Sequence, residues 1–293
     1  MAPVVAWPST LVDRIASDHW VLFIGSGVSA SCKNAAGDYP PDWNGLLTKL
    51  SGLIADEKRR RMAVGMIKRR EYLAAADHIQ YSVAQQDERT AYQQTIKATV
   101  EGPPTDRFQP SSLYSALLNL EPKIVFTTNY DKLFESASQN GFAVHTFEST
   151  AVGDALRIGE PVFVKLHGST DSITDAVLTR TDYARAATKG RATFDALAAL
   201  SLTSTILFVG YSLDDPDIQL VLQAVGRSGM RPEAHFMLAP RPRSPSRVPV
   251  FRESFGVSVL TYPAGSHEKA EVALAELSEL VVGVRQRGAQ IAT

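Results

Sequence analysis

Four short polar clusters hold the residue types in this sequence best suited to chemistry. They are Gly25-Ser26-Gly27-Val28-Ser29-Ala30, Thr127-Thr128-Asn129-Tyr130-Asp131, His167-Gly168-Ser169 and Gly210-Tyr211-Ser212-Leu213-Asp214-Asp215. A glycine turn lets backbone N–H groups come close to a phosphate, and this one has the form GxGxxA. An uncharged asparagine can both donate and accept hydrogen bonds, and a histidine with a pKa near ~6.5 can give or take a proton. Each cluster also has a plain structural use. The glycines could form a tight strand-to-helix turn without a ligand. Asn129 could cap a helix over 130–138, with Asp131 set against its dipole. His167 could be a hydrogen-bonded turn residue, and Asp214 and Asp215 before Pro216 make a good helix start.

What raises these clusters above chance is the elements that precede them. Apolar runs at 20–24, 124–126, 142–144, 162–166, 205–209, 235–238 and 257–260 are near-continuous in Val, Ile, Leu and Phe, as buried parallel strands are. Helical patterns lie between them at 111–120, 130–138, 192–202 and 216–225, with another at 268–287. This alternation predicts an α/β, Rossmann-like, doubly wound and mostly parallel sheet. The segment from Trp43 to Val100 has no convincing strand and repeats at helical spacing, so a helical insertion over 43–105 is expected after the first strand, within a single domain of 1–293. In such a sheet ligands bind beyond the carboxyl ends of the strands, and all four polar clusters follow strands there.

Other features narrow the possibilities. A hydride-transfer Rossmann unit would place an acidic residue at the end of a second strand about 20 positions after the glycine turn. Asp42 lies at a plausible distance but follows no strand, which argues against an oxidoreductase. The basic run Lys58-Arg59-Arg60-Arg61, followed by Lys68-Arg69-Arg70, reads as a solvated helix face, with a docking surface for an acidic partner as the alternative. The proline-rich stretch 240–249 reads as a loop. His145 and His235 fall in strands, whereas His19, His78 and His267 look like surface residues.

The 293 residues, 44% of them hydrophobic, suffice for one large domain. Lys and Arg number 30 against 31 acids, a net charge of -1, so neither nucleic acid nor an anionic membrane is an expected partner. The lone Cys32 excludes an internal disulfide and a multi-thiolate zinc site, which suits a reducing compartment. No apolar run approaches the ~18 residues of a membrane span, and no secretory leader is visible, so a cytoplasmic protein is expected.

Together GSGVSA, PPDW-x-x-L, TTNYD, KLHGS and GYSLDDPDI, in this order from Val21 to Ile218, resemble the SIR2-like domains of bacteria, distant relatives of sirtuins. The resemblance implies an enzyme that consumes NAD. Asn129 would match the catalytic asparagine, Asp131 the aspartate of the same motif, and His167 the catalytic histidine. Two departures matter. The cysteine-ligated zinc module of deacetylating sirtuins is missing, and their GIPDFR-like stretch reads Gly37-Asp-Tyr-Pro-Pro-Asp-Trp43 here. Both favour plain hydrolysis of NAD to nicotinamide and ADP-ribose over deacylation, with no metal. Such domains often serve as NAD-depleting effectors in defence against phage, and the resemblance extends to SIR2 subunits that assemble with a HerA-type ATPase. A homo-oligomer would be in keeping with this.

On this reading Asn129 holds a ribose hydroxyl or the attacking water, and His167 accepts a proton. Gly25, Ser26, Gly27 and Ser29 hold the phosphates, with Thr128, Asp131 and Gly210 around them. Ser212 and Asp214 contact the adenosine half, and Asp42 beside Trp43 lines the nicotinamide pocket. A non-catalytic NAD or ADP-ribose sensor, and an NAD-dependent deacylase or ADP-ribosyltransferase, are the alternatives.

Overall fold

A computed structural model of the chain describes residues 3–211, 235–242 and 244–291. Ser212, Asp214, Asp215 and the helix expected over 216–225 lie outside the described residues. The strands are β1 (Trp20–Ile24), β2 (Ile124–Thr127), β3 (Ala143–Thr146), β4 (Val162–Lys165), β5 (Thr205–Val209), β6 (His235–Pro240) and β7 (Val257–Tyr262). They form one seven-stranded sheet in the order β3-β4-β2-β1-β5-β6-β7, with every pairing parallel. β1 is the switch point. The chain leaves it towards β2 on one side and returns to β5 on the other, so a crevice opens above it.

β1 is buried along its whole length, and its alternating side chains feed two cores. Trp20, Leu22 and Ile24 pack with α1 (Ser9–Ala16), α7 (Ser112–Leu118), α8 (Leu133–Ala137) and α13 (Glu268–Ile291) on one face. Val21 and Phe23 pack on the other with α9 (Val152–Ile158), α11 (Arg191–Thr203) and α12 (Arg247–Phe255). One expectation fails here. The proline-rich stretch does not stay a loop to residue 249, because α12 begins at Arg247. Pro249 falls in its first turn, where a missing N–H breaks no intrahelical bond.

Between β1 and β2 lie α2 (Ser26–Ser29), α3 (Trp43–Ser51), α4 (Glu57–Lys68), α5 (Tyr72–Ala84) and α6 (Arg89–Glu101). The helices α3 to α6 share a separate core of Leu46, Leu47, Leu50, Ile67, Ile79 and Ile96. Leu178 belongs to that core too, and Tyr130 and Ile173 pack against it, so the helical layer rests on the loops that follow β2 and β4. On α4, Arg60 and Arg61 pair with Glu57 along an exposed face. Two local errors of length are small. The helix after β2 starts at Leu133 rather than Tyr130, and α10 (Arg180–Lys189) has no counterpart in the sequence reading. No helix among the described residues is long and apolar enough to cross a membrane.

Candidate active site

Strand register brings the polar clusters together. Ile24 pairs with Thr127 and with Val209, and Thr127 pairs with Lys165. Gly25, Thr128, Leu166 and Gly210 therefore leave the sheet at one level, side by side along its carboxyl edge.

The glycines are there because two backbones touch. Gly25 N–H donates to the Val209 carbonyl and Gly27 N–H to the Gly210 carbonyl, each at 2.8 Å. A Cβ on Gly25 or on Gly27 would lie 2.7 Å from the Gly210 oxygen. Gly210 has φ +82°, and its own Cβ would meet Val28 at 2.7 Å. The turn thus spends the amides of Gly25 and Gly27 on β5, and leaves Ser26 and Gly27 exposed.

The TTNYD loop is fastened to the same turn. Thr127 Oγ1 donates to the Ile24 carbonyl at 2.8 Å and accepts from the Asn129 N–H at 3.0 Å. Asn129 Nδ2 donates to the Gly25 carbonyl at 3.1 Å and to Ser29 Oγ at 3.0 Å. Ser29 Oγ in turn donates to Asp131 Oδ2 at 2.7 Å, and Tyr114 Oη lies 3.2 Å from it. A hydroxyl has one hydrogen, so Tyr114 is the donor there and Ser29 is saturated. Asp131 Oδ1 accepts from the Leu133 N–H at 3.0 Å, which makes Asp131 the residue that starts α8. Asn129 is no helix cap. Its amide hydrogens are committed across the crevice, so the atom it can still offer is Oδ1. Thr128 is held by Tyr211, whose Oη lies 3.0 Å away and donates to the Ile24 carbonyl.

Two cavities flank the glycine turn and share Ser26. The smaller, about 60 Å³, is lined by Ser26, Ser29, Asp42, Thr128, Asn129 and Asp131, with Trp43 and Tyr130 among its other walls. Asp42 also caps α3 by accepting from Gly45 N–H at 2.9 Å, so it has a structural duty as well. The larger, about 580 Å³, runs from Ser26, Gly27 and Gly210 to Lys33, Tyr39, Tyr262 and His267. His267 lines this cleft and is exposed, as expected of a surface residue.

His167 is placed differently. It follows β4 at the same edge but is only 5% exposed, and it is not among the residues lining the smaller cavity. Its ring meets Tyr183 edge-on at 5.1 Å, and its carbonyl accepts from Val177 N–H at 3.0 Å. Burial pushes its pKa down to about 3, so the imidazole is neutral at any ordinary pH. Gly168 turns the chain at φ +85°, where a Cβ would press on Asp175 and Ala176. Among the described residues no group of three or more His, Cys, Asp and Glu could hold a metal ion.

Three supporting residues escaped the sequence reading. Tyr211 ties strand ends together and Tyr114 reaches Ser29 from α7, and neither carries a pattern of its own. Lys165 had a signal, a lysine inside an otherwise apolar strand. It is wholly buried and donates to the carbonyls of Tyr130 and Asp131 and to Glu135 Oε1 at 2.9 Å.

Residues 123–260 match the family model of the SIR2-like domain. This stretch is a SIR2-like domain. It carries Asn129, Asp131, His167 and Gly210. The chain is also 30% identical over 116 residues to the NAD(+) hydrolase ThsA of Bacillus cereus (strain MSX-D12), covering 38% of this chain and 24% of that protein. It is 27% identical over 123 residues to the NAD(+) hydrolase ThsA of Enterococcus faecium, covering 41% and 26%. The chain spans about a quarter of the length of these relatives. Among solved structures, one described under "Structural Basis for the Mechanism and Regulation of Sir2 Enzymes" superposes with a TM-score of 0.49 at 16% identity, over 98% of this chain and 99% of that one. A Sir2 homologue–NAD complex gives 0.48 at 14% identity, over 96% of each.

Proposed function

We propose that this chain hydrolyses NAD, splitting the bond between nicotinamide and ribose to give nicotinamide, ADP-ribose and one proton. The observation that carries the reading is Asn129. In a SIR2-like domain similar to NAD(+) hydrolases, its amide is pinned between the Gly25 carbonyl and Ser29 at the floor of a cavity.

Nicotinamide leaves as a neutral base from a cationic ring, so its departure needs no general acid. The ribose left behind gathers positive charge, and the enzyme must orient it, stabilise that charge and place one water. Asn129 Oδ1 suits all three tasks, since it accepts from a ribose hydroxyl or from the water and carries a partial negative charge. The small cavity fits the nicotinamide end and the larger cleft the ADP end, with Ser26 at the junction. Close approach of the turn, the Ser26 hydroxyl and the Lys33 ammonium would hold the phosphates, in place of the Gly25 and Gly27 amides. His167, as a neutral imidazole one strand away, would take the proton from the ribose hydroxyl or the water. The wider setting proposed with this reaction is NAD depletion in bacterial defence against phage, in the cytoplasm. A homo-oligomer and a HerA-type ATPase are the partners proposed with it.

The burial of His167 away from the small cavity favours a second reading, a nucleotide sensor that binds NAD without turnover. One experiment separates the two: nicotinamide release measured on wild type beside Asn129→Ala. The hydrolase reading expects release by wild type and a loss of about 10²–10³-fold in the variant, the usual cost of removing one such oriented dipole. NAD binding by calorimetry with no nicotinamide released would replace it with the sensor.

A further inference from the structure

A third cleft, of about 630 Å³, lies between α5 and α6 of the helical layer and the segment 173–185, and shares no lining residue with the two cavities beside the glycine turn. Its charged residues are Asp77, Arg89, Arg180, Asp182 and Arg185. Both carboxylates are spoken for. Asp77 takes the Arg180 guanidinium and its backbone N–H. Asp182 Oδ2 closes the capping box with Thr179, accepting from its hydroxyl at 2.7 Å, and Oδ1 holds Arg185 Nη2 at 3.2 Å. Arg89, exposed at the head of α6, has no ion pair among the described residues. The cleft is therefore left with a positive excess.

Two buried donors there lack an acceptor. Tyr92 is only 8% exposed, and its hydroxyl has no hydrogen-bond partner among the described residues; the same holds for Arg185 Nε. Burial, and after it the charge of Asp182, keeps the Tyr92 phenol protonated and so a donor. Buried donors without acceptors are costly, and negatively charged oxygens of a ligand in the cleft would relieve that cost. Donors on three separate side chains, Arg89, Tyr92 and Arg185, suit a tetrahedral oxyanion with several terminal oxygens better than a planar carboxylate. Beside them Ile96, Ile173 and Leu178 give the cleft an apolar wall.

We propose that this cleft is a binding site for a small organic phosphate, with the phosphate on Arg89, Tyr92 and Arg185 and the carbon part against the apolar wall. The site is independent of the NAD reading, because neither Asn129 nor His167 lines it. Calorimetric titration with ribose 5-phosphate, inorganic phosphate and ribose tests it on wild type, Arg89→Gln, Arg185→Gln, Tyr92→Phe and Asn129→Ala. Ribose 5-phosphate should bind wild type and Asn129→Ala alike, more tightly than inorganic phosphate, while ribose gives no heat. Either arginine variant should weaken binding about ten-fold or more, the loss of one charge-assisted hydrogen bond. Tyr92→Phe should weaken it less, with the melting temperature kept. Should Arg185→Gln fail to fold, the exposed Arg89 variant decides by itself. No binding to wild type, or equal binding to wild type and Arg89→Gln, overturns the proposal.

Discussion

Replacing Lys165 by methionine isolates what holds the TTNYD loop in place. The substitution keeps most of the side chain's length and removes only the ammonium, which has nowhere to reach water. All three Nζ hydrogens are in use, on the carbonyls of Tyr130 and Asp131 and on Glu135 Oε1. The Glu135 side chain, 7% exposed, would be left without its cation, and the carbonyls of Tyr130 and Asp131, the two residues after Asn129, would lose a donor. Breaking a buried pair from one side costs about 3–5 kcal/mol. Part of that returns if Glu135 protonates, since burial already pushes its pKa up. The expected net loss is ~3 kcal/mol, a large share of the ~5–15 kcal/mol by which a domain is stable. Urea denaturation of wild type, Lys165→Met, Glu135→Leu and the double variant measures it. Because an apolar pair can replace a buried ion pair at little cost, the double variant should be more stable than Lys165→Met by ~2 kcal/mol. If Lys165→Met loses under ~1 kcal/mol, or the two single losses simply add, the pair is not what braces this loop.

Two more predictions concern the same edge of the sheet. The folded pKa of His167, about 3, lies below its ordinary 6.5, so between these values the folded state binds fewer protons than the unfolded one. Stability from this residue is thus full above pH ~6.5 and falls as the pH drops, by ~2 kcal/mol at pH 5. His167→Gln should remove that part of the pH dependence in denaturation midpoints; an identical dependence in both proteins would count against the buried neutral ring. At the crossing of the turns, Gly210→Ala combines a φ of +82° with contacts of 2.7 Å to Val28 and should cost ~3 kcal/mol. Gly159→Ala, at φ +74° with open space around it, should cost only ~1 kcal/mol. Thermal melts compare the two, and equal losses would show that conformation rather than contact governs the position.

Much of this arrangement was legible because buried parallel strands are locally self-declaring. All seven runs of Val, Ile, Leu and Phe became strands within a residue or two, and each polar cluster begins where an apolar run stops. The helical layer was equally clear, since Leu46, Leu50, Ile67 and Ile79 recur on helical faces. Distances across the fold were not legible. Nothing near Ser29 in the sequence announces Asp131, and nothing near Thr128 announces Tyr211. Nor does a histidine before a glycine disclose whether its ring faces a cavity or a neighbouring tyrosine. Lys165 lay between. A charge inside an apolar strand must find a partner, but which one depends on how α8 folds back over β4.

The glycine turn shows how one signal can have two causes. From sequence its glycines read as room for a phosphate, yet the structure uses them first to let β1 and β5 close on each other, with the two amides consumed in doing so. The closeness still matters for a ligand, because it draws Gly25 under Asn129 and sets the carbonyl that orients its amide. A turn that bound phosphate by its own amides would work wherever it stood. This one acts through Asn129, so its value to the site depends on the β5 contact: loosening Gly210 should disturb the amide of a residue it never touches.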